Sequence, residues 1–210
     1  MTKELTDEEL LVATDEEWAF YKRVIEGLPS MAGKNNDGKD KFGEFIPYHS
    51  GPHILRHFMD TIHIVHPKRI FEIGFNMGHS SAMWLNMFPG KIVSCDVSKK
   101  DETLEGIELL RERYQDRFVF EWREDMDDDA IKAWVAQYYF DLAFIDGAHD
   151  EQSIINDIHF CVALRIPYLL FDDWYPRYGE TQKAVEKFPN ILQLVKDMNN
   201  LRLYKVNYDN

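Results

Sequence analysis

From residue 69 onward the sequence switches between two hydrophobic periods at regular intervals. Short apolar runs fall at residues 69–74, 91–97, 117–123, 140–146 and 167–173, and helical patterns fill the gaps at about 79–88, 101–115, 127–138 and 150–163. A strand covered on both faces reads as a continuous apolar run, and a strand followed each time by a helix pairs parallel with its neighbours. The pattern therefore predicts an α/β fold, a doubly wound and mostly parallel sheet. One more helix, at 179–188, precedes a change of character. Residues 191–196 and 201–207 alternate around Met198-Asn199-Asn200 and read as an antiparallel hairpin.

In such a sheet the ligand lies at the carboxyl ends of the strands, so each strand is informative at its end. The first runs Ile70-Phe71-Glu72-Ile73 into Gly74, crosses a turn to Gly78 and enters an apolar helix at Ser80. Glycine at both positions lets the backbone turn tightly and approach a ligand, which the N–H groups of the helix start then face. The spacing is G-x-x-x-G with an acid two residues ahead, not the dinucleotide G-x-G-x-x-G. A carboxylate before the cradle suits a cationic aminoacyl-nucleoside better than a pyrophosphate. The second strand closes on Asp96, placed to accept ribose hydroxyls or to cap the next helix. Glu124-Asp125-Met126 follows the third.

The fourth strand ends Phe144-Ile145-Asp146-Gly147-Ala148-His149, and the fifth ends Phe171-Asp172-Asp173-Trp174. Adjacent strand ends bring Asp146 towards Asp172 and Asp173, and carboxylates converging there repel unless protonated or bridged by a cation. A hard divalent ion such as Mg2+ resolves the conflict. His149 reads as a general base, since imidazole takes a hydroxyl proton near neutral pH, or as a cap of the helix that follows. Trp174, Tyr175 and Tyr178 either wall an acceptor or pack on the hairpin.

Glu72-Ile73-Gly74 through Gly78-His79-Ser80 resembles motif I of the class I S-adenosylmethionine-dependent methyltransferases, and the likeness extends over about residues 50–208. It implies a Rossmann-like sheet of seven strands whose last strand inserts antiparallel. It also implies S-adenosylmethionine as cofactor, held by Glu72, Gly74, Asn76, Gly78 and Ser80 around the aminoacyl end, Asp96 at the ribose, Asp125 at the adenine, and Asp146. The I-D-G-x-H motif followed by an acidic pair resembles the metal-dependent small-molecule O-methyltransferases, including the catechol type and the macrocin and cephalosporin-hydroxylase relatives. There the matches of Asp146, Asp172 and Asp173 ligate the ion. The catechol type has Asp-Asn where this chain has Asp-Asp, and lysine where this chain has His149. The resemblance implies methyl transfer to a hydroxyl of a small molecule, catalysed by His149 and Asp146 with a divalent metal. The alternatives are a metal-independent enzyme in which His149 acts alone, and an accessory protein that binds the cofactor without turnover.

Two features of those families are missing. Leu164-Arg165-Ile166-Pro167 stands where many relatives have a lysine-proline-glycine-glycine turn, and the Asn/Asp-Pro-Pro-Tyr/Phe tetrad of amino-methylating DNA enzymes is absent from the sequence. A formal charge of -13 further disfavours nucleic acid and anionic membranes as partners.

A chain of 210 residues with 45% apolar content fits one domain, assigned to residues 50–210, with a helical arm at 1–49. Residues 6–27 are amphipathic, with Thr6 and Glu9 spaced as a capping box. Residues 31–43, rich in Gly, Asn and Lys, read as a linker or a substrate lid, and the arm equally as a contact between two copies of the chain. Ser50 and Pro52 open a helix that runs to about Val65. His53 and His57 share a face of it, with His49, His63 and His66 nearby, and face solvent or substrate more readily than a metal. Cys95 and Cys161 read as buried free thiols. The acidic N-terminus lacks a signal peptide, and no run reaches the ~18 apolar residues of a membrane helix. A cytoplasmic protein is expected.

Overall fold

The computed structural model describes residues 52–123, 133, 135–174, 179–198 and 200–208. The expected arm at 1–49 with its loop, His49, most of the helix expected at 127–138, and Asp125, Tyr175 and Tyr178 lie outside the described residues.

Helix α1 (Pro52–Val65) leads into β1 (Arg69–Ile73), α2 (His79–Met87), β2 (Lys91–Asp96), α3 (Asp101–Tyr114) and β3 (Phe118–Trp122). Then follow β4 (Leu142–Ile145), α4 (Glu151–Ala163), β5 (Tyr168–Phe171), α5 (Glu180–Glu186), β6 (Leu192–Met198) and β7 (Leu201–Val206). The seven strands form one sheet in the order β3-β2-β1-β4-β5-β7-β6. Strands β1 to β5 pair parallel, in register Ile70 with Ile92 and with Leu142, whereas β7 enters antiparallel beside β5, Leu169 opposite Tyr204. The expected doubly wound sheet and terminal hairpin are both present. Among the described residues no helix is long and apolar enough to cross a membrane.

The continuous apolar runs have the expected cause: β4 is buried at every position and β1 at all but its first. Successive side chains feed opposite layers. Ile70, Phe144 and Leu170 join Phe58, Trp84 and Leu85 on one face, where Phe58 stacks on Trp84 at 3.9 Å between ring centroids. Phe71, Ala143 and Leu169 join Ile154, Ile158 and Cys161 on the other. Both cysteines are buried free thiols.

Strand order reverses between β1 and β4, which opens a crevice at their carboxyl ends. Strand β4 is shorter than its apolar run because Asp141 turns its carboxylate onto the Lys68 and Arg69 N–H groups, at 2.6 and 2.9 Å, and so ties the strand's entry to β1. Strand β5 stops at Phe171. Asp172 still donates its N–H to the Ile145 carbonyl at 3.1 Å, but Asp173 turns left-handed at φ 55° and ends the extension.

Candidate active site

Everything at the crevice hangs on the turn from β1 to α2. Gly74 donates its N–H to the Cys95 carbonyl at 3.0 Å, and Gly78 closes the turn onto the Phe75 carbonyl at 2.7 Å. Both take positive φ, 94° and 84°. A Cβ on Gly74 would lie 2.0 Å from the Asp146 carbonyl oxygen, and one on Gly78 would lie 2.4 Å from the Phe75 ring. Gly74 is thus needed for the close approach of two strand ends, as well as for its backbone angle.

Glu72 lies beneath this turn, wholly buried. Its carboxylate accepts from the hydroxyls of Ser80, at 2.5 Å, and of Ser81 and Ser94, so it joins β1 to the start of α2 and to β2. Burial pushes its carboxyl up to about 7 against the lowering effect of the three serines.

A cavity of about 540 Å³ opens above the turn, at the ends of β1, β2 and β4. Of the residues expected at a cofactor, Gly74, Asn76, Asp96 and Asp146 line it; Glu72, Gly78 and Ser80 stand behind the lining, and Asp125 is outside the described residues. Asp96 accepts the Asn76 N–H at 2.5 Å on one oxygen and the Ser98 N–H at 2.6 Å on the other. Both oxygens are thereby aimed while each keeps a lone pair for a ligand hydroxyl.

The sequence reading missed Val97, Arg123 and Asp157. Val97, 62% exposed, offers an apolar wall beside Asp96. An exposed valine directly after a strand-ending acid was the available signal. Arg123 and Asp157 carried none, because residues so far apart in the chain come to one cavity only in the assembled fold.

The acids at the ends of β4 and β5 do influence one another. Burial, then the charges of Asp172 and Asp173, hold the Asp146 carboxyl well above the usual range. Burial and Asp173 push Asp172 up to about 7, and Asp172 Oδ1 is buried without a hydrogen-bond partner. Yet no three His, Cys, Asp or Glu side chains among the described residues stand together as a ready metal site. Asp173 instead reaches His149, Oδ2 to Nδ1 at 3.2 Å. His149 does not cap α4. Asp150 does so, accepting the Ser153 N–H at 3.0 Å, and the His149 side chain is left 56% exposed at the cavity edge.

Trp174 packs on the hairpin, its ring centroid 6.0 Å from that of Tyr204 and the Arg202 guanidinium 4.3 Å above it. On α1, His57 is buried and His63 exposed; His66, just beyond the helix, is exposed too.

Residues 71–174 match the family model described as a methyltransferase domain. No curated protein sequence matches the chain significantly. Solved structures of similar fold include an S-adenosylhomocysteine-bound methyltransferase of Podospora anserina, at 17% identity and TM-score 0.55, covering 93% of this chain and 89% of its own. An O-methyltransferase of Bacillus cereus in complex with S-adenosylhomocysteine has 18% identity and TM-score 0.52, with 95% and 94% covered. A proposed caffeoyl-CoA O-methyltransferase of Staphylococcus aureus has 13% identity and TM-score 0.62, with 91% and 99% covered.

Proposed function

We propose that this chain, whose residues 71–174 match the methyltransferase-domain model, is a class I S-adenosylmethionine-dependent methyltransferase, that its cavity takes that cofactor and that the methyl group passes to a hydroxyl of a small molecule. The observation that carries this reading is the cavity's place, at the reversal of strand order, between the Gly74 turn and the doubly anchored Asp96. Asp96 accepts the ribose hydroxyls. Gly74 and Asn76 shape the aminoacyl side, and the resemblance assigns the adenine to Asp125, which lies outside the described residues. Glu72, Gly78 and Ser80 act as positioning residues, holding the turn from behind.

When bound, the cofactor supplies an electrophilic methyl group on a sulfonium. His149 takes the acceptor's hydroxyl proton at Nε2, the nitrogen left open by the contact of Nδ1 with Asp173. The Asp173 carboxylate holds the ring's orientation and stabilises the imidazolium that forms. With its proton passed to His149, the acceptor oxygen would be the nucleophile that takes the methyl group, and His149 would carry the resulting positive charge.

The donors Asp146, Asp172 and Asp173 would hold a divalent cation such as Mg2+, which supplies Lewis-acid polarisation of the acceptor oxygen. The unpartnered Asp172 Oδ1 and the mutual repulsion of these carboxylates support this part. The Asp173–His149 contact favours the metal-independent version, in which Asp173 serves the base. We assign residues 50–210 to this domain, residues 1–49 to an arm beside it, and the protein to the cytoplasm, whose reducing conditions suit its two free thiols.

Calorimetric titration with S-adenosylmethionine, first with Mg2+ and then with EDTA, tests the reading. Binding in both is expected, since the ion would touch the acceptor rather than the cofactor, and an acceptor assay with chelator then separates the two versions. Absence of binding in both overturns the cofactor site.

A further inference from the structure

The contact between Asp173 and His149 hangs on a short strap of backbone past β5. Asp173 takes φ 55°, a left-handed conformation that costs free energy for a residue with a Cβ and persists where its surroundings hold it. Both of its neighbours are pinned. Asp172 donates its N–H to the Ile145 carbonyl on β4 at 3.1 Å, and Trp174 donates its N–H to the Asn200 carbonyl, between β6 and β7, at 3.0 Å. The hairpin thus shares with β4 the task of setting where the Asp173 carboxylate points.

The hairpin also grips the Trp174 side chain. The indole is 8% exposed, and the Arg202 guanidinium lies 4.3 Å from its ring centroid. Arg202, on β7, stands opposite Phe171 of β5 and opposite Asp197 of β6, and its Nη2 donates to Asp197 Oδ2 at 2.6 Å. The ion pair holds the guanidinium plane, and the face of that plane holds the indole. Arg202 Nε is buried without a hydrogen-bond partner, a cost that an apolar side chain of similar length would avoid. Packing alone therefore does not account for an arginine here.

We propose that Arg202 is a positioning residue: by clamping Trp174 it holds Asp173 in its left-handed turn, so that Asp173 keeps the proton of His149 on Nδ1 and leaves Nε2 open to the acceptor's hydroxyl. Which ring nitrogen of a histidine carries the proton is set by the hydrogen bond the other groups offer it, so a carboxylate that swings away frees the ring to take the wrong tautomer. The proposal rests on the reading of His149 as the base.

Long-range proton–nitrogen NMR of the full chain at pH 9 tests this without an acceptor, the His149 signals being those lost in His149→Gln. In wild type the Nδ1–H form should exceed the Nε2–H form by about tenfold, a preference that Asp173→Ala removes. Arg202→Met should bring the two forms to within about threefold of each other, and Arg202→Lys, which can keep a cation over the indole, should retain more of the preference than Arg202→Met. Trp174→Leu should act as Arg202→Met does, and it serves if that variant does not fold. The wild-type ratio kept in Arg202→Met, even with a lowered urea midpoint, marks a purely structural side chain; it overturns the proposal and leaves the reading of His149 standing. Wild type with no preference for Nδ1–H overturns the orientation of His149 by Asp173, and the proposal with it.

Discussion

Replacing Glu72 by glutamine is expected to remove the pH dependence that this one residue imposes on stability. Burial raises its carboxyl from 4.5 to about 7 in the folded protein. A raised acid binds its proton more tightly in the native state than in the unfolded chain, so folding is favoured while both states are protonated. The advantage is lost as pH climbs from the unfolded value through the folded one. A shift of about 2.5 pH units corresponds to about 3 kcal/mol, all of it lost by about pH 8.5 and almost none at pH 4. The group is wholly buried, so solvent screening does not reduce the figure. Glutamine keeps the shape and a carbonyl for the serine donors, and its amide N–H can donate to a serine oxygen, but it does not titrate. Urea denaturation of both proteins between pH 4 and pH 8.5 reads the effect, with titrating groups that do not feel the Glu72 charge cancelling in the difference. The variant should gain about 3 kcal/mol relative to wild type across that range. A difference that stays flat, or that moves the other way, refutes the picture of a desolvated carboxyl held by Ser80, Ser81 and Ser94.

Gly74→Ala is expected to lose S-adenosylmethionine binding by calorimetry and at least about 2 kcal/mol of stability, because the new Cβ meets the Asp146 carbonyl at a strained φ. Asp96→Asn should weaken the cofactor by on the order of 10- to 100-fold, since an amide nitrogen replaces one of two aimed acceptor oxygens; an unchanged Kd would remove Asp96 from the ribose site. His149→Gln should lower kcat by roughly 100-fold or more while cofactor affinity stays within about threefold, and loss of the acidic limb of the pH–rate profile would mark the base itself.

Much of the site lay open in the sequence because its parts are local. Strand ends could be placed because strands covered on both faces are continuously apolar; Asp96 ends β2, and Asp146 and Asp172 directly follow β4 and β5. Gly74 and Gly78 announced a tight turn by residue type alone. What each group touches was another matter. Glu72 precedes the cradle as a cofactor acid would, yet its oxygens are taken by three serines, one of them Ser94 on the neighbouring strand. His149 was readable as a base or as a cap, and only the backbone beyond β4 gave the cap to Asp150 and His149 to Asp173.

The sequence by itself determined the alternation of strands and helices, the glycine turn and the row of strand-end acids, since periodicity and turn chemistry are properties of neighbouring residues. The tertiary structure decided the strand order, the insertion of β7 between β5 and β6, the press of Gly74 against Asp146, and the meeting of Arg123 with Asp157. Those depend on which elements share a layer. Desolvation and hydrogen-bond satisfaction act between groups far apart along the chain, and they become defined when the sheet is assembled.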